Sequence, residues 1–143
     1  MAHKEIILIT GGAGFIGSHL TNAFLKEGYR VRVLDNLSPP THNGALPPWF
    51  SREAEFIKGD VRSKDDWMRS LDGASYVLHL AAYMDVHPDI STYFDVNNTG
   101  TALLYEVIEE QKLPIKKIIA ASSQSVYGEG KYKCSRHGIC YPR

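Results

Sequence analysis

Four glycines crowd into the stretch GGAGFIG, residues 11 to 17, between the apolar run Ile6–Ile9 and the helix-period segment SHLTNAFLKEG. A chain that passes from strand to helix through such a turn has few folds open to it. Gly12, Gly14 and Gly17 form G-x-G-x-x-G, with Gly11 in front. In that context the first glycine permits a sharp turn, the second lets backbone approach a bound group closely, and the third lets the helix lie against the strand. The helix start then points unpaired N–H groups and the positive end of its dipole outward, which suits phosphate. The plain alternative is a glycine-rich turn that binds nothing.

Beyond this turn, short apolar runs alternate with helix-period segments, an order that argues for βαβ units and a parallel sheet. Ile6–Ile9 is apolar on both faces, as a strand covered by helices on both sides should be. Residues 15–27 place Phe15, Ile16, Leu20, Ala23 and Phe24 at helical spacing, and Gly28 marks the end. RVRVLD, AEFIKGD, SYVLHLAA and KKIIAASS are the next expected strands. Residues 38–52 hold four prolines and no period, so they read as a surface loop. Ser63 is placed to cap a short helix over 64–71. A long helix is expected over 93–112, with Leu103, Leu104, Val107 and Ile108 on its core face. Everything after Gly128 reads as polar and irregular, and neither a repeat nor a low-complexity tract is found.

The fold class is therefore α/β: a Rossmann-type, doubly wound parallel sheet with helices on both faces, ending after about five strands. Residues 1–128 form the dinucleotide-binding domain, and 129–143 the start of an insertion or loop. Asp35 closes the second strand about 20 residues past the glycines, where a carboxylate accepts hydrogen bonds from an adenosine ribose. A carboxylate there repels a 2′-phosphate, so NAD is expected over NADP. Arg30 and Arg32 pull the other way. No Gly-Lys-Ser/Thr follows the glycines, which disfavours a P-loop NTPase.

Sixteen basic residues balance sixteen acidic ones with no block of like charge. The chain thus lacks an electrostatic footprint for nucleic acid or an anionic membrane. It has no apolar run long enough to span a bilayer and no signal-peptide pattern, and its two cysteines suit a reducing compartment. A cytoplasmic location is expected.

With the glycine turn, LDNLS (34–38), GDVR (59–62), HLAA (79–82), VNNTGT (96–101) and ASSQSVYG (121–128), the chain resembles the extended short-chain dehydrogenase/reductases. Within them it is most similar to the NAD-dependent nucleotide-sugar epimerases and dehydratases. Each motif alone is weak, whereas six in order are specific. The resemblance implies that Gly11, Gly12, Gly14, Phe15, Ile16 and Gly17 serve the pyrophosphate, and that Asp35, Asn36 and Ser38 serve the adenosine ribose side. It puts Asp60 and Val61 beside the adenine and runs Leu80, Ala81 and Ala82 along the cofactor. Without the other motifs, Asp60 would read as a turn residue and the alanines as packing. Asn97 and Gly100 belong to the long helix, where Gly100 suits close packing and Asn97 is either a cofactor neighbour or a structural hydrogen-bonding residue.

Catalysis in the resembled family uses a Ser/Thr, a Tyr and a Lys. The tyrosine exchanges a proton with a sugar hydroxyl, the serine bonds the same oxygen, and the lysine lowers the tyrosine pKa. Ser123 matches the serine, with Ser122 and Ser125 as neighbours. The Tyr-x-x-x-Lys pair is expected on a helix further along. Its only spacing match here, Tyr127 with Lys131, is flanked by Gly128 and Gly130 and belongs to the VYG segment instead. Dehydratases carry an acidic pair after the Ser/Thr, whereas Gln124 and Ser125 follow Ser123, which favours an epimerase.

The expectation is the N-terminal, cofactor-binding part of an enzyme acting on a nucleoside diphosphate sugar, inactive alone and dimeric in full-length form. A 4,6-dehydratase or another extended dehydrogenase is the alternative within the class, and a non-catalytic NAD-binding module the one outside it. If the fold stops after strand five, uncovered apolar surface should cause self-association. Cys134, His137 and Cys140 have the spacing of half a zinc site or are two reduced thiols in an insertion. No metal is expected for this chain.

Overall fold

The computed structural model describes residues 5–84, 88–127 and 130–141. Its strands are β1 Ile6–Thr10, β2 Arg30–Asp35, β3 Glu55–Lys58, β4 Ala74–His79 and β5 Lys117–Ala120, followed by a hairpin of β6 Tyr132–Cys134 and β7 Gly138–Cys140. Its helices are α1 Phe15–Lys26, α2 Lys64–Leu71, α3 Ile90–Tyr93 and α4 Gly100–Gln111, with π-helical turns over Phe94–Thr99 joining the last two. The first five strands pair in parallel in the order β3-β2-β1-β4-β5. From β1 the chain winds outward to β3, then crosses back to β4 on the other side. That reversal opens a crevice at the carboxyl ends of β1 and β4, where open parallel sheets take their ligands.

Every residue of β1 is buried, and alternation along the strand feeds two cores. Ile6 and Leu8 join Trp67, Leu71, Leu104 and Val107 under α2 and α4. Ile7 and Ile9 join Val31, Val33 and Leu78, against which Leu20, Phe24 and Leu25 of α1 pack. A fully buried side chain such as Leu104 contributes roughly 1.5–3 kcal/mol. Leu104 and Val107 form the buried stripe of α4, with Leu103 and Ile108 packed at its margin.

Local signals hold where backbone polar groups demand them. The Ser63 hydroxyl accepts the N–H of Asp66 at 3.2 Å and caps α2. Gly28, at φ +86°, follows α1; its N–H bonds to the Leu25 carbonyl and that of Tyr29 to the Phe24 carbonyl, a complete Schellman motif. Lys112 ends α4 in the left-handed region.

Three expectations are corrected. Phe15 and Ile16 were expected on the apolar face of α1, yet they are 78% and 64% exposed, and the buried residues of that helix are Gly17, Ser18 and Thr21. The start of α1 approaches the turn so closely that only small side chains fit beneath it. Residues 38–52 form an irregular, largely exposed loop as expected, with His42 its one buried residue. Residues after 128 include the antiparallel β6–β7 hairpin, whose three-residue strands are too short for a readable period and turn at Gly138, φ +74°. The fifth strand stops at Ala120, and Gln124–Tyr127 is a 3₁₀ turn.

Candidate functional site

The glycine turn follows β1 directly. Gly11 lies at φ +66°, and a Cβ there would sit 2.9 Å from the Ala81 nitrogen. A Cβ on Gly12 would fall 2.6 Å from a Val33 methyl, and one on Gly17 would collide with the Gly11 carbonyl. Gly14 differs: its Cβ would meet only the Gly11 oxygen, at 3.2 Å. Three glycines are thus required by packing, while the Gly14 position faces outward. No side chain caps α1 and no acidic residue stands in its first turn, so its leading N–H groups face the crevice with their partial positive charge intact. That cradle could hold a phosphate group, and exposed Phe15 and Ile16 stand in the same first turn.

At the end of β2, buried Asp35 uses one carboxylate oxygen to accept the Ala13 N–H (3.1 Å) and the other to accept the Leu37 N–H (2.9 Å). Each oxygen keeps acceptor capacity for a hydroxyl. His42 folds back from the long loop until its Nε2 lies 4.0 Å from Asp35, buried and with no hydrogen-bond partner among the described residues. Nothing in the sequence distinguished this histidine from its loop neighbours. The arginines that weighed toward a 2′-phosphate lie elsewhere. Arg32 is buried and donates to the Ser70 carbonyl at 2.9 Å while pairing with Glu55. Arg30 begins β2, five strand rises of about 3.3 Å from Asp35.

Asn36 donates to Asp60 at 3.1 Å and accepts the Ser38 N–H at 3.0 Å, tying the loop after β2 to the one after β3. Ser38 itself is exposed, and its carbonyl accepts the His42 N–H. Asp60 also takes the Arg62 guanidinium, and that hydrogen-bonded pairing outweighs partial burial to hold its carboxyl down to about 2. Val61 is buried, its carbonyl accepting the Trp67 indole N–H at 2.6 Å, and a Cβ on Gly100 would fall 2.8 Å from its methyl. Gly100 is therefore a close-packing residue.

Leu80, Ala81 and Ala82 leave β4 along the rim of the glycine turn. The Thr10 hydroxyl accepts the N–H groups of Leu80 and Ala81, both at 3.1 Å. Asn97 bonds the Tyr83 backbone on both sides, accepting its N–H at 2.7 Å and donating to its carbonyl at 3.0 Å. His79, buried between Thr10 and Thr101, is pushed down to about 4 by that burial. Thr10, His79 and Thr101 were missed at the sequence level, because a hydroxyl ten residues from the start announces no partner 69 positions away.

Ser123 lies exposed just past β5, its oxygen accepting the Ser125 N–H at 3.1 Å, which leaves its own proton free to donate. Tyr127 closes the 3₁₀ turn and Lys131 precedes β6. Gly128 lies outside the described residues. Cys134 and His137 meet at 3.5 Å across the hairpin turn; among the described residues no three metal-ligating side chains converge.

A doubly wound parallel sheet with a glycine turn after its first strand and a carboxylate closing its second defines a Rossmann-type unit of the nucleotide-binding class. The chain belongs to the NAD dependent epimerase/dehydratase family, whose model matches residues 7–139. It is 34% identical over 140 residues to a bifunctional UDP-glucose 4-epimerase and UDP-xylose 4-epimerase of Pisum sativum, covering 90% of this chain and 39% of that protein. It is 34% identical over 142 residues to a dTDP-L-rhamnose 4-epimerase of Burkholderia thailandensis, covering 95% and 39%. The Thermotoga maritima UDP-glucose 4-epimerase, solved with UDP-glucose, superposes with a TM-score of 0.76 at 34% identity, over 87% of this chain and 40% of that one. The Brucella ovis UDP-glucose 4-epimerase in complex with NAD gives 0.72 at 30%, over 87% and 37%. The chain spans between 39% and 41% of the length of the first curated relatives it matches.

Proposed function

We propose that this chain is the cofactor-binding N-terminal part of an NAD-dependent epimerase acting on a nucleoside diphosphate sugar. The observation that carries the reading is Asp35, a buried carboxylate oriented by the turn backbone and beyond the reach of Arg30 and Arg32. It suits two ribose hydroxyls and opposes a 2′-phosphate. The N-terminus of α1 and the Gly14 opening hold the pyrophosphate, Phe15 and Ile16 shield it, and Leu80, Ala81 and Ala82 border the remainder. NAD, when bound, supplies the acceptor and donor of hydride for a sugar carbon. Ser123, with its hydroxyl proton free, bonds the sugar oxygen at that carbon. The absence of an acidic pair after Ser123 and the epimerase names of the relatives together favour epimerisation over dehydration. Tyr127 ends the 3₁₀ turn and Lys131 precedes β6, so among the described residues no helix carries Tyr-x-x-x-Lys, and the chain alone is expected to bind without turning over.

Calorimetric titration with NAD and then NADP tests the reading. Saturable binding that prefers NAD, and that weakens about tenfold or more in Asp35→Ala, is expected. A folded chain that binds neither would overturn it.

A further inference from the structure

One buried polar chain runs from α4 to the glycine turn, and its hydrogen atoms can be assigned. Thr101 donates its hydroxyl proton to the Asn97 carbonyl at 2.7 Å, so toward His79 it can only accept. His79 therefore carries its proton on Nε2, which donates to Thr101 at 2.9 Å. The neutral ring then presents a bare Nδ1, and the Thr10 hydroxyl donates to it at 2.7 Å. With its proton committed, the Thr10 oxygen has two lone pairs left, and these accept the N–H groups of Leu80 and Ala81. The Leu80 N–H is shared with the Thr10 carbonyl at 3.3 Å, whereas for the Ala81 N–H the Thr10 hydroxyl is the acceptor. The Trp67 ring edge, with its centroid 5.5 Å from that of the imidazole, closes the remaining side.

The path ends where position matters. Thr10 immediately precedes Gly11, and the Ala81 nitrogen is the atom that a Gly11 side chain would strike. Asn97, which receives the Thr101 proton, also clamps Tyr83 from the π-helical segment. Both ends of the Leu80–Tyr83 segment thus answer to one helical turn, Asn97–Thr101.

We propose that His79 is a positioning residue: through Thr10 and Thr101 it fixes the Leu80–Ala81 backbone against the glycine turn and so sets the wall along which the cofactor lies. Its effect on cofactor affinity rests on the NAD reading above; its effect on the backbone does not. Thr101→Val keeps the shape and removes the acceptor, whereas Thr101→Ser keeps the hydroxyl. In amide hydrogen exchange, Thr101→Val should speed Ala81 about tenfold relative to Val33 in the core, and Thr101→Ser should restore it. NAD affinity should fall about tenfold in the same variant and recover in the serine variant. A long-range nitrogen–proton spectrum of the wild-type chain should show His79 as the Nε2–H tautomer. An Nδ1–H tautomer, or unchanged exchange at Ala81 in folded Thr101→Val, overturns the proposal. Should that variant fail to fold, His79→Gln with the same exchange readout decides it in the same way. A wild-type chain that leaves NAD unbound overturns the functional reading alone, because exchange and tautomer decide the relay without cofactor.

Discussion

The carboxylate of Asp35 accepts the backbone N–H of Ala13 across 22 positions of sequence, at 3.1 Å, so the end of β2 orients the glycine turn that β1 begins. Asp35 thereby anchors the turn, and the ribose contact proposed for it can be probed by changing its charge. Asp35→Asn keeps one acceptor oxygen, enough for the Ala13 N–H but not also for the Leu37 N–H, and removes the negative charge that opposes a 2′-phosphate. The ratio of NADP to NAD dissociation constants, measured by calorimetry, should fall about fivefold or more, because electrostatic repulsion at this range is worth at least ~1 kcal/mol. An unchanged ratio would show that another group sets cofactor choice.

Gly17 and Gly14 should respond oppositely to a methyl group. In Gly17→Ala the added carbon lies 2.6 Å from the Gly12 Cα, and backbone cannot yield cheaply. Urea denaturation should show a loss of about 3 kcal/mol or more. Gly14→Ala meets only the Gly11 oxygen at 3.2 Å, at an ordinary negative φ of −69°. It should cost about 1 kcal/mol of stability or less while obstructing pyrophosphate approach, so that cofactor affinity falls more than folding stability does.

Acid should weaken the fold in two separate windows. His79 is held down to about 4 from 6.5 by burial, so the unfolded chain binds a proton that the folded chain refuses between those values. Stability is full above pH 6.5 and falls on acidification toward pH 4, by on the order of 3 kcal/mol. Asp60, lowered to about 2 by the Arg62 guanidinium, contributes stability above pH 3.8 that is lost as pH falls toward 2. Urea midpoints measured from pH 7 to pH 4 should decline in wild type. In His79→Gln the slope over that range should flatten, and a slope that survives would assign the acid sensitivity elsewhere.

β5 is an edge of the sheet, and its Ile119 is 53% exposed beside Phe24, Tyr76 and Leu78. An apolar edge strand invites pairing with another chain. Sedimentation of the 143-residue chain should show concentration-dependent association, and Ile119→Lys should reduce it. Equal association of both proteins would place the contact on another face.

Much of this was readable in one dimension because its signals are local. The spacing of Gly12, Gly14 and Gly17, the Ser63 cap, the Gly28 stop and the apolar runs of β1 and β4 each act within a few residues, so the sequence alone determined a parallel α/β sheet with a glycine turn feeding a helix. Asp35 was legible for the same reason, since it closes a strand at a set distance from that turn. Tertiary structure decided what depends on partners far along the chain. Phe15 and Ile16 carry helical spacing yet face solvent, because Gly17 must sit within contact of Gly12 and leaves no room beneath the first turn. His42 gave no sign that its loop would fold onto Asp35. Thr10, His79 and Thr101 form one hydrogen-bonded path only after β1, β4 and α4 have been brought together, and no periodicity encodes the direction in which a buried hydroxyl donates its single proton.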